Sequence, residues 1–235
     1  LNRPADRATA FDWATQNASA LAGSDYTADS GTVTFPAFET SRTFQVSIAD
    51  DGIDEPAQQF DVAFSGASNL VLGANSARAT IQDNDAPSVA SIAGGQVGEG
   101  GSIGFSVTLD RPSDYTVQVA YATSHGSAGG ADYTGRSGTL TFAPGQTSQS
   151  FSVATSEDNI DEPNETFSAA LSSPTRATLG TASATGRIND DDPAPRVSVG
   201  NASVSEGGTA GFTVSLDRPK STPVTVAYTT AGGAA

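Results

Sequence analysis

The chain has 235 residues, enough for one or two domains that each bury a core. Its 26 acidic and 11 basic residues give a formal charge of −15, which makes phosphate backbones and anionic membranes poor partners and cations natural ones. It has no cysteine, which excludes a disulfide framework and any Cys-containing zinc or iron–sulfur site.

No stretch approaches the roughly 20 apolar residues of a membrane span. The segment from Leu1 has neither the basic start nor the apolar run of a signal peptide. A soluble piece of a longer protein is expected. Internal repetition organises it. Asp25-Tyr26-Thr27 recurs 107 residues on as Asp132-Tyr133-Thr134, and Ile53-Asp54-Glu55-Pro56 recurs at the same interval as Ile160-Asp161-Glu162-Pro163. Glu99-Gly100-Gly101 and Leu109-Asp110-Arg111-Pro112 return as Glu206-Gly207-Gly208 and Leu216-Asp217-Arg218-Pro219, again 107 apart. The expected domains are therefore an N-truncated first repeat (1–87), a complete second repeat (88–195) and a C-truncated third (196–235) that keeps strands A to C.

In the complete repeat the apolar period is two, the signature of half-buried strands. Strand A is expected near 88–97, followed by a connection carrying Glu99. Strand B (103–109) alternates Phe105, Val107 and Leu109 with polar residues. Strand C (116–123) alternates Val117, Val119 and Tyr121, and the C–D connection carries Asp132. Strands D (138–142) and E (148–156) follow. The E–F turn holds Glu157, Asp158, Asp161 and Glu162, with Glu165 opening strand F (165–172). Strand G (181–188) exits into Asp190, Asp191 and Asp192. Seven short alternating strands in about 100 residues point to an all-β fold of tandem immunoglobulin-like antiparallel sandwiches. Trp13, which takes the place of Tyr121 and alternates with Phe11, is expected in a core.

Antiparallel order places the A–B, C–D and E–F connections at one pole, together with the exit from strand G. Ten of the twelve acids in this repeat fall there, leaving Asp110 and Asp114 for the opposite pole. Such crowding costs roughly 1 to 4 kcal/mol per pair at about 4 Å, depending on the effective dielectric. Ca²⁺ can offset that cost, since it takes 6–8 oxygens in flexible geometry, whereas Mg²⁺ keeps its waters. No His or Cys is placed to favour a transition metal.

At these residues the chain resembles Calx-beta domains. The resemblance rests on Asp25-Tyr26-Thr27, Gly31-Thr32-Val33-Thr34-Phe35, Ile53-Asp54-Glu55-Pro56 and Ile81-Gln82-Asp83-Asn84-Asp85. The second-repeat counterparts add Val97-Gly98-Glu99-Gly100 and Ile188-Asn189-Asp190-Asp191-Asp192. It covers essentially the whole chain. It implies Ca²⁺ ligands at Glu99, Asp132, Glu157, Asp158, Glu162, Glu165, Asp190, Asp191 and Asp192, with the backbone carbonyl of Ile160. In the first repeat it implies Asp25, Asp50, Asp51, Ile53, Glu55, Asp83 and Asp85, and in the third Glu206, the equivalent of Glu99. Asp161 stands where the family pattern is apolar and is not expected to bind metal. Gln58 replaces the equivalent of Glu165, and Asn84 that of Asp191, so the first site is expected to be the weaker one.

Other motifs point nowhere. Gly100-Gly101-Ser102-Ile103-Gly104 matches a nucleophile-elbow string, but a strand rather than a helix should follow it, and the single histidine, His125, is read as a solvated turn residue. No enzymatic activity is expected. The leading functional expectation is a Ca²⁺-stiffened structural segment of an extracellular or surface-anchored bacterial adhesin or filament. Its alternatives are a Ca²⁺-sensing regulatory domain, as the family's presence in sodium–calcium exchangers implies, or an interaction sandwich without tight metal binding. Expected partners are neighbouring repeats head to tail and other copies of the chain, either in one polypeptide or by strand exchange. No nucleic acid and no membrane insertion are expected for this stretch.

Overall fold

The structure, a computed structural model, describes residues 1–232. The chain forms two compact units. The first comprises Leu1–Ser88 with Arg111–Thr116 and Ala143–Gln146; the second comprises Val89–Asp110, Val117–Phe142 and the chain from Thr147 onward.

The second unit is a two-sheet sandwich. One sheet runs β10 (Ser148–Ala154), β7 (Ser102–Leu109), β5 (Ser88–Ala93) and β12 (Ala177–Leu179). The other runs β6 (Gln96–Gly98), β13 (Ser183–Asn189), β11 (Glu165–Thr175), β8 (Val117–His125) and β9 (Ser137–Phe142). Strict alternation drives this. Along β7 the residues switch between exposed and buried at every step, so Ile103, Phe105, Val107 and Leu109 all enter the core. Facing residues Val119, Tyr121, Phe142, Phe167 and Leu171 complete it. The Phe151 ring stacks on Tyr121 at 3.9 Å and on Phe105 at 5.1 Å, and Tyr133 stacks on Phe167 at 4.1 Å.

The expected strand A is split. β5 pairs antiparallel with β7, whereas β6 pairs parallel with β13, so the strand changes sheets at Gly94-Gly95. A Cβ on Gly94 would lie 2.2 Å from the Thr185 carbonyl oxygen, and only glycine permits that approach. Strand F also runs further than expected. It carries a bulge after Ser172, with Ser173 and Arg176 at positive φ, and hands the chain to the short β12.

The first unit has one sheet, ordered β2 (Ser30–Phe35), β1 (Thr9–Asn17), β3 (Gln58–Ser68) and β4 (Ser76–Ile81). This is the order β9-β8-β11-β13 of the second unit, repeated. Trp13 is buried as expected, among Tyr26, Val33, Phe35, Phe60 and Val62. Residues 41–47, the counterpart of β10, belong to no strand. In the second unit β14 (Val197–Val199) and β15 (Val214–Leu216) form a separate two-stranded ribbon. His125 is the last residue of β8 rather than a turn residue, and its ring packs edge-on to Tyr133 at 5.4 Å.

Candidate metal centre

In the second unit the acidic connections converge. Carboxylate oxygens of Glu99, Asp158 and Asp192 lie within 4.8 Å of one another, and so do those of Asp132, Glu162 and Glu165. The first group joins the turn after β6, the turn after β10 and the exit from β13. The second joins the β8–β9 connection to the start of β11. Backbone geometry fixes these positions. Gly100, at φ +66°, turns the chain beyond Glu99, and its N–H donates to the Ser156 carbonyl at 2.9 Å. Glu99 N–H donates to the Asn189 carbonyl at 3.2 Å. Gly129 N–H donates to Asp132 Oδ2 at 2.6 Å, and Ser156 N–H to the Asp132 carbonyl at 2.8 Å. Ile160 N–H donates to Asp158 Oδ1 at 2.7 Å.

The electrostatics are unfavourable without a cation. Burial first, then the charges of Asp158 and Asp190, push Glu99 up to about 7. Burial, then a hydrogen bond to Asp132, push Glu165 up to about 7. Glu162 and Asp192 are raised by burial and then by neighbouring carboxylates, with Arg218 partly offsetting the rise at Asp192. One oxygen each of Glu99 and Asp192 is buried with no hydrogen-bond partner. Buried acceptors normally find donors, and a carboxylate oxygen left alone in a cluster of its own kind fits a cation. The residues present therefore fit Ca²⁺, a hard ion that takes oxygen ligands.

Other expected residues play different parts. Asp190 accepts from the Glu162 N–H at 3.1 Å through Oδ1 and donates its own N–H to Asn164 Oδ1 at 2.9 Å. Glu157 is exposed beside Gly100, and Asp191 is exposed beside Gly98; neither joins a carboxylate trio. Ile160 is half-buried. Glu206 is exposed and joins no trio among the described residues. Asp161 pairs instead with the Lys220 ammonium, and both side chains are largely buried.

In the first unit Asp25, Asp50, Asp51, Glu55, Asp83 and Asp85 line one cavity of about 380 Å³. Ile53 does not line it; its N–H donates to Asp51 Oδ1 at 2.8 Å. Burial, then Asp51, Asp114, Asp25 and Asp83, push Glu55 up to about 7. Asp85 is raised by burial and then by Asp83, Asp50 and Asp51. Two amides enter this cavity. Gln58 Nε2 donates to Glu55 Oε2 at 3.0 Å, and Asn84 Nδ2 to Asp50 Oδ1 at 3.4 Å.

Sequence reasoning placed Asp114 with the opposite pole and gave Asp54 no role. In the first unit Asp114 contributes charge to Glu55, and its N–H donates to the Asp54 carbonyl at 3.0 Å. Asp54 is buried, and Ser113 Oγ donates to its carbonyl at 3.0 Å and lies 3.4 Å from its carboxylate. The signal was present: Asp54 and Ser113 sit one period before Asp161 and Lys220, and both pairs form parallel bridges.

The family model described as Calx-beta domain matches residues 1–85 and 97–192. The chain is similar to sodium/calcium exchanger 1 of Rattus norvegicus, 32% identical over 180 residues that cover 66% of this chain and 18% of the relative. It is 31% identical to sodium/calcium exchanger 1 of Canis lupus familiaris over 180 residues, 66% of this chain and 19% of that protein. The chain thus spans less than a fifth of the curated relatives it matches. Among solved structures it is similar to the apo-form Calx CBD1 domain, at 28% identity and TM-score 0.40, covering 44% of this chain and 99% of that one. It is also similar to CBD12 from CALX1.2, at 18% identity and TM-score 0.40, covering 78% and 88%.

Proposed function

Because the chain belongs to the Calx-beta domain family, we propose that it is a Ca²⁺-binding, Ca²⁺-sensing module with repeats bounded at 1–87, 88–195 and 196–235. The observation that carries this is the pair of carboxylate trios in the second unit, with buried Glu99 and Asp192 oxygens that lack donors. Glu99, Asp158 and Asp192 would hold one ion, and Asp132, Glu162 and Glu165 another. The ion supplies positive charge that offsets carboxylate repulsion. With an ion held there, Asp158 would be linked to Glu99 at the end of β6 and to Asp192 at the exit from β13; without one, the Glu157–Glu165 turn is left to the repulsion of its own carboxylates. No catalytic role is proposed.

The relatives named are ion exchangers, which favours sensing over the adhesin reading and lends no support to a bacterial or extracellular address. One observation favours a stiffening role alongside sensing: the Asp54–Ser113 bridge recurs one period later as Asp161–Lys220. The test is thermal unfolding in Ca²⁺, in Mg²⁺ and in chelator, with amide hydrogen exchange over residues 157–165. Ca²⁺ should raise the melting temperature and protect those amides, and Mg²⁺ should do much less. Superimposable melts in Ca²⁺ and chelator would refute Ca²⁺ binding. Stabilisation without a change in exchange would leave a structural ion and refute the sensor.

A further inference from the structure

The sequence contains a single Asp-Gly step, Asp51-Gly52, and it falls in the acidic turn of the first unit. One period later the same turn reads Asp158-Asn159. The two turns are built alike. Ile53 N–H donates to Asp51 Oδ1 at 2.8 Å, and Ile160 N–H donates to Asp158 Oδ1 at 2.7 Å. Asp51, Gly52, Asp158 and Asn159 are all exposed. What differs is the second residue of the step. Glycine has no Cβ and turns freely about its backbone bonds, whereas asparagine does not.

The surroundings of the first step favour reaction between its two residues. The bond from Ile53 folds the Asp51 carboxyl back along its own backbone and draws electron density away from Cγ. Gly52 N–H has no hydrogen-bond acceptor among the described residues, so its nitrogen is held by no ladder or turn. A Cβ built on Gly52 would meet nothing within 4 Å, which leaves room for the peptide to rotate. Water reaches Asp51 both from bulk solvent and through the cavity of about 380 Å³ that it lines.

We propose that Asp51-Gly52 is a self-modifying site, at which the Asp51 side chain is taken into the main chain as isoaspartate. The Gly52 amide nitrogen attacks Asp51 Cγ. A C–N bond forms, the Cγ–OH bond breaks, and the hydroxyl leaves with the amide proton as water. The product is a cyclic imide, and water then adds to one or other of its carbonyls. Opening at the Cγ–N bond restores aspartate. Opening at the original peptide bond leaves isoaspartate, with the chain running through Cβ and Cγ and the former main-chain carbonyl carbon now a free carboxylate. Water is the only co-reactant. The methylene inserted into the main chain removes the acceptor that Ile53 N–H uses and lengthens the turn that carries Glu55. The acidic cavity of the first unit is thereby rebuilt, while that of the second keeps its form.

Prolonged incubation of the folded 235-residue chain at physiological temperature and neutral pH, followed by peptide mapping with enzymatic methylation of isoaspartate, tests this. Chelator is present throughout, so the outcome does not depend on whether either acidic cavity binds Ca²⁺. Isoaspartate should accumulate at residue 51 about an order of magnitude faster than at residue 158, because only the first step ends in glycine. In water enriched in heavy oxygen, residue 51 should also take up label when it returns to aspartate, since each ring opening uses a solvent oxygen. Gly52→Ala places a methyl in open space at a residue outside the left-handed region, so it should slow the reaction by about the same factor and leave the melting temperature unchanged. Asn159→Gly should bring the reaction to residue 158. A residue 51 that stays unmodified and unlabelled overturns the proposal. So do equal rates at residues 51 and 158, or isoaspartate that forms only when the chain is unfolded in urea.

Discussion

The two acidic sites share their scaffold and differ in how their carboxylates are neutralised. In the second unit Glu99 and Asp192 each bury an oxygen with no donor. In the first, Gln58 and Asn84 turn amide N–H groups onto Glu55 and Asp50, so part of the negative charge is met from within. Gln58 still buries its Oε1 without a partner, leaving one neutral oxygen for a cation. The second site depends more on an ion, and the first is more nearly self-sufficient. A period of 107 residues has kept the loops while exchanging charge for hydrogen bonds.

The largest expected effect comes from removing matched pairs of acids. Asp158→Asn with Glu162→Gln should abolish most of the Ca²⁺ stabilisation, about 2.7 kcal/mol at a hundredfold excess over Kd. The counterparts Asp51→Asn with Glu55→Gln should remove less. Differential scanning calorimetry in Ca²⁺ and in chelator measures both, and equal losses would erase the difference between the sites.

Next in size is the pH dependence of the metal-free protein. Glu99, Glu165 and Glu55 stand at about 7 against an ordinary value of 4.5. Each holds its proton more tightly folded than unfolded, so the associated stability is fully present below about 4.5 and is lost as pH rises through about 7. Thermal melts in chelator should therefore fall in temperature across that window. Saturating Ca²⁺ should flatten or reverse the slope, because the ion binds the deprotonated carboxylates. A chelated protein that melts higher at pH 8 than at pH 5 would show that these carboxyls are not raised.

Much of this was legible from residues alone, for a physical reason. Alternation fixes which face of a strand is buried, so Phe105, Val107, Leu109 and Trp13 were readable as core. Antiparallel order fixes which connections share a pole, which anticipated that Glu99, Asp158 and Asp192 would meet. Alternation does not say which sheet a strand joins. The split of strand A at Gly94 depends on a backbone approach to Thr185, 91 residues away, which no local pattern encodes. Nor does period-two reading show whether a strand finds a partner. Residues 41–47 have the right pattern and pair with nothing in a described strand. The pole argument treats a repeat in isolation, so it gave no sign that the charge of Asp114 acts on Glu55.

Restoring the missing charges sharpens the comparison. Gln58→Glu with Asn84→Asp should make the first site resemble the second, raising its Ca²⁺ affinity by about tenfold, roughly 1.4 kcal/mol. The same change should lower the melting temperature in chelator, since two amide donors become two further carboxylates. Calorimetric titration and a melt in chelator read the two effects. An unchanged affinity would mean that neutral oxygens serve the ion as well as charged ones at these positions.

The smallest effect concerns the bridges beside the sites, where the chemistry is exchanged in the opposite sense. Asp54 is met by the neutral Ser113, and Asp161 by the cationic Lys220. Ser113→Ala removes a hydroxyl that donates to the Asp54 carbonyl and accepts from Tyr115 N–H at 3.1 Å, which should cost about 1 kcal/mol. Lys220→Ala should cost a similar amount, since the pair lies between the exposed and the fully buried cases. Salt separates them. Screening weakens an ion pair that keeps some contact with solvent but leaves a neutral hydrogen bond alone, so the cost of Lys220→Ala should shrink in high salt while that of Ser113→Ala holds. Urea unfolding of both variants at low and high ionic strength measures this. Equal salt dependence would mean that Asp161, like Asp54, is held by its backbone carbonyl, which lies 3.4 Å from Ser221 Oγ, rather than by its charge.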